Sequence, residues 1–122
     1  MIDHNKLKFS FKYAIEGIGY ALKYDQNLRI HFLIGFLVII SSIYFRVNPF
    51  EMGILGIMIL LVISTEMINS AIEQMVDLIT NEHRQEAKIA KDVSAGMVLI
   101  TAIGSVIVGL LIFIPHIVKL FK

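Results

Sequence analysis

Cysteine and tryptophan are absent from this 122-residue chain, proline occurs twice, and charged residues make up 17% of it. Each shortage excludes something. Without cysteine there is no disulfide, no thiolate nucleophile and no sulfur-ligated metal. Four scattered histidines do not give the paired spacing that a zinc site needs. The charged share is well under the roughly one quarter that is usual for soluble domains. The formal net charge is +1 and no basic patch is present, which argues against nucleic acid as a partner. What fills the space is apolar: 57% of residues are hydrophobic and the mean hydropathy is +0.76. That composition and length fit one integral-membrane domain spanning residues 1–122. The N-terminal stretch alternates charged and apolar residues and shows no small-residue cleavage site after an apolar core. A secretory leader is not expected there.

Taken in order, Met1 to Lys6 is polar and reads as a frayed end. Residues 8–23 read as an amphipathic helix. Phe11, Ala14, Ile15, Ile18 and Leu22 share one face, and Lys8, Lys12, Glu16, Gly19 and Lys23 another. Lysines opposite aromatics suit a helix lying in the headgroup layer. A polar break at Tyr24–Asn27 follows, with Asp25 or Asn27 available as an N-cap. Three spans are expected, at about 28–45, 51–73 and 93–118. Pro49 should open the second helix, a new helix should start around Ala87, and Pro115 is expected to bend or end the third span. Thr101, Ser105 and Gly109 form a small-residue stripe suited to close packing. Eight of the eleven Lys and Arg residues fall before the first span or in the second connection, and three in the first connection or at the C-terminus. This bias places the N-terminus and the second connection in the cytoplasm of a multi-pass plasma-membrane protein.

The second span carries what does not belong in lipid. From Met52 to Thr65 it has no charge, and then Glu66, Asn69, Glu73 and Asp77 appear without the helix pattern stopping. At about 100° per residue they fall within a stripe roughly 80° wide. Glu66 lies about 11 Å deeper than Glu73, and Asp77 about 6 Å further out. Like carboxylates so arranged are costly unless a cation joins them. Lys91, beside Asp92, is the cation nearest the start of the third span. Carboxylates and an amide can hold a hard divalent ion, a lysine can bind phosphate, and a carboxylate can act as general base. Such parts can move a phosphoryl group. A base within the membrane implies an acceptor that is itself a lipid. The residues alone leave three readings open: phosphoryl transfer, a small ion or proton path, and a polar cluster that fixes helix register. No P-loop or protein-kinase glycine loop is present, so a nucleotide site would be of another design.

One resemblance bears on that choice. Glu66-x-x-Asn69-Ser70-Ala71-Ile72-Glu73-x-x-Val76-Asp77 is similar to the E-x-x-N-[ST]-A-[IV]-E-x-x-[VI]-D pattern of the small prokaryotic integral-membrane diacylglycerol kinases, whose Gram-positive branch includes undecaprenol kinases. Ala90-Lys91-Asp92, Ser94-Ala95-Gly96-x-Val98-Leu99, Gly17 with Ala21, and Asn27-x-Arg29-Ile30-His31 extend the likeness over nearly the whole chain from Phe11.

The resemblance implies an all-α membrane protein, an interfacial helix plus three spans, assembled as a homotrimer with sites between subunits. It implies transfer of the γ-phosphate of ATP, with Mg²⁺, to a lipid hydroxyl of undecaprenol or diacylglycerol, in phospholipid or cell-envelope lipid metabolism. Glu66 matches the general base and Asn69 a supporting catalytic residue. Glu73 and Asp25 match the metal ligands. Tyr13, Glu82, His83, Arg84, Lys91 and Asp92 match nucleotide contacts. Two departures stand out. Asp25 replaces the usual glutamate and is one methylene shorter, which implies a closer helix or a looser metal site. His83-Arg84 stands where the family carries Tyr-His. The alternatives are an ion or proton pathway and a structural membrane subunit decayed from a kinase. His31 reads as an interfacial histidine.

Overall fold

The computed structural model describes residues 1–122 as four helices: α1 (His4–Tyr24), α2 (Gln26–Tyr44), α3 (Pro49–Ile79) and α4 (Gln85–Leu120). The last three are long and apolar enough to cross a membrane, and α1 is the expected amphipathic helix. α1 begins four residues earlier than its pattern suggested. Asp3 caps it, accepting from the backbone N–H groups of Asn5 (3.0 Å) and Lys6 (3.2 Å), so of the expected fray His4 to Lys6 are helical and Met1 to Asp3 are not. No α1 residue is buried, and its packing is chiefly against α2.

A single residue separates α1 from α2. The Asp25 N–H still donates to Ala21 O (2.8 Å), closing α1, while its Oδ1 accepts from Leu28 N (3.1 Å), opening α2. Arg29 reaches back to the carbonyls of Leu22 (2.9 Å) and Lys23 (2.8 Å), satisfying acceptors that the end of α1 would leave open. α2 closes with Arg46 at φ 53, between N–H bonds from Arg46 to Ile43 O (3.2 Å) and from Val47 to Ser42 O (3.1 Å). This is the paired closure of a Schellman turn, here with a non-glycine residue in the left-handed position.

α3 opens on a reciprocal capping box. Glu51 N donates to Asn48 Oδ1 (2.8 Å) and Asn48 N to Glu51 Oε2 (3.4 Å), with Pro49 in the first turn. Its 31 residues extend about 46 Å. That exceeds a hydrocarbon core of about 30 Å, so part of the helix stands outside it unless it is strongly tilted. α4 starts at Gln85 rather than Ala87, with Glu86 in its first turn where the helix dipole favours an acid. It runs through Pro115 without ending. The lost hydrogen bond is flanked by two contacts that hold this turn: Phe113 edge-on to Phe45 (6.0 Å between centroids) and His116 Nε2 at 2.9 Å from Glu51 Oε2.

α3 and α4 run antiparallel, joined by polar contacts at four levels. Glu51 meets His116 at one end. Thr65 Oγ1 and Thr101 Oγ1 lie 3.0 Å apart near the middle, Ser94 Oγ donates to Asn69 Oδ1 (2.7 Å) further along, and Lys91 Nζ reaches Asp77 Oδ1 (2.6 Å) at the other end. Of the small-residue stripe, Thr101 makes such a contact, while a side chain at Gly109 would meet nothing within 4 Å. α2 packs on the other side of α3. A Cβ at Gly35 would come within 2.9 Å of Ile59 Cγ2, so the absent side chain sets how closely these helices approach. Only 11 of 122 residues are buried, which leaves most apolar side chains facing outward, as lipid or neighbouring chains require.

Gly35→Leu is therefore expected to force α2 off α3. Overpacking of this kind costs about 1–3 kcal/mol. The change should appear as a lower thermal midpoint in detergent or bilayer, and Gly35→Ala should show a smaller drop. A Leu variant as stable as the parent would contradict the close packing.

Candidate active site at one end of the bundle

Four segments meet at the end of the bundle that carries the α1–α2 junction: Asp25 with the last turns of α1, the outer half of α3, the connection 80–84, and the first turns of α4. The α3 stripe runs through all of it. Glu66 is 2% exposed and Asn69 6%. Glu73 and Asp77, one and two turns beyond Asn69, are exposed.

Buried polar groups in such a place need partners. Asn69 has two: its Oδ1 accepts from Ser94, and its Nδ2 lies 3.4 Å from Glu73 Oε1. Asp25, Asn69 and Glu73 lie near the Glu66 carboxyl. His31, one helix across, places Nε2 3.8 Å from Glu66 Oε2. Asp25 is tied to α3 through a short hydrogen bond donated by the Ser70 hydroxyl to its Oδ2.

Two clefts flank the stripe. One, of about 530 Å³, lies between α1 and α3 and is lined by both Asp25 and Glu73. Gly17 and Ala21 line it too, and a side chain at Gly17 would meet nothing within 4 Å. The other, of about 800 Å³, sits under the 80–84 connection. It gathers Glu82, His83, Arg84, Lys91 and Asp92, together with Asp77. The connection is held by Thr80 Oγ1 accepting from Glu82 N (3.1 Å) and by Arg84 Nε on Glu82 Oε2 (3.0 Å).

The cations here are paired within the chain. The Asp77 carboxylate, hydrogen-bonded to Lys91, keeps that ammonium charged to a higher pH than an ordinary lysine. Asp92 does the same for Lys88 at 2.5 Å. Both pairs are solvent-accessible, so they organise the surface more than they stabilise the fold.

The expected residues thus fall into three groups. Glu66 and Asn69 lie together at depth. Asp25 and Glu73 share the first cleft, and the five loop and α4 residues share the second. Tyr13 stands apart: it is exposed on α1, stacks on Phe9 (6.2 Å between centroids) and lines neither cleft. No three His, Asp or Glu side chains converge on one point as a self-sufficient metal site. Two carboxylates with a hydroxyl beside them still fit a hard cation of the Mg²⁺ kind, which takes one or two protein carboxylates and draws its remaining oxygens from phosphate and water.

Sequence reasoning named Lys91 as the cation of the stripe without fixing which acid it meets, and missed the Ser94–Asn69 and Ser70–Asp25 bonds and the nearness of His31 to Glu66. Both serines lie inside the motifs, where their small size concealed their hydroxyls. His31 lay in a motif as well, but its distance to α3 has no local signal.

Comparison with known sequences identifies the family. The profile of the family described as prokaryotic diacylglycerol kinase matches residues 12–113. A diacylglycerol kinase of Synechocystis sp. is 38% identical over 115 residues, which cover 93% of this chain and 66% of that protein. An undecaprenol kinase of Bacillus subtilis is 38% identical over 111 residues, covering 91% of this chain and 90% of that protein. A diacylglycerol kinase of Haemophilus influenzae is 29% identical over 106 residues, covering 85% and 90%. The chain therefore spans just under two thirds of the length of the Synechocystis protein and nine tenths of the other two. With the profile covering five of every six residues and the same motif residues assembled at one end of the bundle, this chain belongs to the prokaryotic diacylglycerol kinase family of membrane lipid kinases.

Proposed function

We propose that this protein phosphorylates the hydroxyl of a membrane lipid, undecaprenol or diacylglycerol, with ATP as donor. The observation that carries the reading is the position of Glu66. It is a buried carboxylate on the same helix face as Glu73 and Asp77, which line clefts open to water. One helix thus connects a lipid-depth acid to a water-soluble substrate's site. The names of the Synechocystis and Bacillus subtilis relatives support the same chemistry. The Lys and Arg bias supports a cytoplasmic N-terminus and 80–84 connection, where ATP is available. Assembly as a homotrimer, which the family resemblance implies, would cover part of the outward-facing apolar surface.

In this reading Glu66 accepts the proton of the lipid hydroxyl as its oxygen forms a bond to the γ-phosphorus. The bond from that phosphorus to the β–γ bridging oxygen breaks, and ADP leaves. Asn69, fixed by Ser94, holds the carboxylate stripe in register. Lys91 exchanges the Asp77 carboxylate for a phosphate oxygen and neutralises charge there. Glu82, His83, Arg84 and Asp92 bound the nucleotide cleft, while Tyr13 lines neither cleft and is given no contact in this reading. Asp25 and Glu73 would hold Mg²⁺, which supplies charge neutralisation on the phosphates. Because Asp25 also caps α2 and accepts from Ser70, its carboxylate is held near α3 despite being short.

The direct test supplies purified protein in lipid vesicles with Mg-ATP and each alcohol, and measures the phosphorylated lipid. A folded sample that phosphorylates neither acceptor sinks the reading. Glu66→Gln should lower kcat by about 10²–10⁴-fold while nucleotide still binds; full activity would remove the base assignment. Glu73→Gln should instead raise the Mg-ATP concentration needed for half-maximal rate. Asp25→Glu should lower the Mg²⁺ concentration needed, and an unchanged metal requirement would contradict a looser site at Asp25.

A further inference from the structure

The Glu66 carboxyl has company on its own helix and from Asp25. Across the α2–α3 contact it meets a different kind of group. His31 Nε2 stands 3.8 Å from Glu66 Oε2, and the two side chains are 20% and 3% exposed. That gap is too long for a hydrogen bond between them. No other protein group bonds the imidazole, and neither of its nitrogens is sealed from solvent without a partner. The remaining polar atoms near Glu66 are committed: Asn69 Oδ1 to Ser94, Asn69 Nδ2 toward Glu73, and Asp25 to Leu28 N and Ser70. Each of these groups thus has a hydrogen-bond partner within the chain, and His31 is the neighbour of Glu66 that has none.

The gap has a useful size. One oxygen atom can lie about 2.8 Å from both Nε2 and Oε2, with an angle of about 85° at the oxygen. A hydroxyl there would donate to the carboxylate and accept from the ring N–H. The same imidazole lines an apolar cavity of about 330 Å³ between α2, α3 and α4, together with Gly35, Val62 and Phe113. It therefore stands between the acid and an apolar cavity whose lining suits hydrocarbon.

We propose that His31 is a second binding residue for the acceptor alcohol: its Nε2–H holds the hydroxyl oxygen while Glu66 takes the hydroxyl proton. The inference rests on the lipid-kinase reading above. It gives His31 a role in orienting the nucleophile, so that one lone pair is engaged by the ring and another faces the γ-phosphorus. An alcohol with a single hydroxyl and otherwise hydrocarbon, such as a polyprenol, offers no other polar atom by which to be aligned. For that class the two-point hold on one oxygen is sufficient.

Three variants test it. His31→Leu keeps bulk and removes the donor. His31→Asn keeps polarity but lacks reach. His31→Gln restores an N–H at nearly the same distance. With saturating Mg-ATP, His31→Leu and His31→Asn should lose about 10-fold or more in kcat with the KM for Mg-ATP unchanged, and His31→Gln should recover most of the loss. Binding of a short-chain polyprenol and a short-chain diacylglycerol, measured without turnover in nanodiscs, should weaken about 5- to 10-fold in the Leu and Asn variants. If His31→Leu fails to fold, the Asn and Gln pair carries the comparison. Activity and alcohol binding within twofold of the parent in both the Leu and the Asn variant overturn the proposal. So does equal loss in the Gln variant, or a loss confined to the KM for Mg-ATP. If the parent turns over no alcohol but its alcohol binding still depends on His31, the kinase reading falls and the binding role stands. If the parent also binds no alcohol, both fall.

Discussion

Polar side chains inside an apolar layer must find partners within the protein, and the α3–α4 seam is organised by that constraint. Each level of the seam joins a polar side chain of α3 to one of α4. Individually such contacts are modest; measured interhelical hydrogen bonds in membranes average about 0.6 kcal/mol. Their effect is on register. A slide of α4 along α3 by one turn would strand Asn69, Thr65 and Ser94 without partners in a region that has no water to replace them. Apolar contacts alone would tolerate such a slide far better. Because Asn69 is held, Glu66 one turn away is held, and so is the order of acids leading outward.

That order separates two environments along one helix face. The deep acid is buried, with Asn69 and the His31 imidazole beside it; the outer acids lie beside clefts that admit water. The ion pairs at the outer end differ in kind from the inner contacts. Lys91–Asp77 and Lys88–Asp92 are solvent-accessible, screened by salt, and able to open at little cost. Rigid polar contacts at depth and exchangeable ones at the surface suit a site that must hold one substrate's geometry while admitting and releasing another.

Much of this was legible in the sequence, because membrane spans and helical stripes are periodic and local. The three spans, the turn at Pro49, the α3 stripe and the grouping of Glu82, His83, Arg84, Lys91 and Asp92 all follow from spacing or motif. The helix starts were less legible. Asp3 and Glu86 extend α1 and α4 through cap and dipole effects, which periodicity does not register. Pro115 leaves a bend and an end equally open from sequence; the helix continues past it, with the Phe113–Phe45 and His116–Glu51 contacts, which join residues far apart in the chain, on either side. The serine hydroxyls and the His31–Glu66 approach were hidden for the same reason: each depends on the distance between two helices, and no pattern within one helix encodes that.

Asp25 carries a consequence for how its variants are interpreted. Its backbone closes α1, one carboxylate oxygen opens α2, the other anchors Ser70 on α3, and the side chain also borders the cleft with Glu73. Removing that carboxylate therefore alters a helix start, an interhelical tether and a candidate ligand in one step. An inactive alanine at this position would say little about ion binding, since three helices would have lost a common reference point. Separating these contributions requires perturbing Ser70 in parallel and asking whether the two losses combine independently.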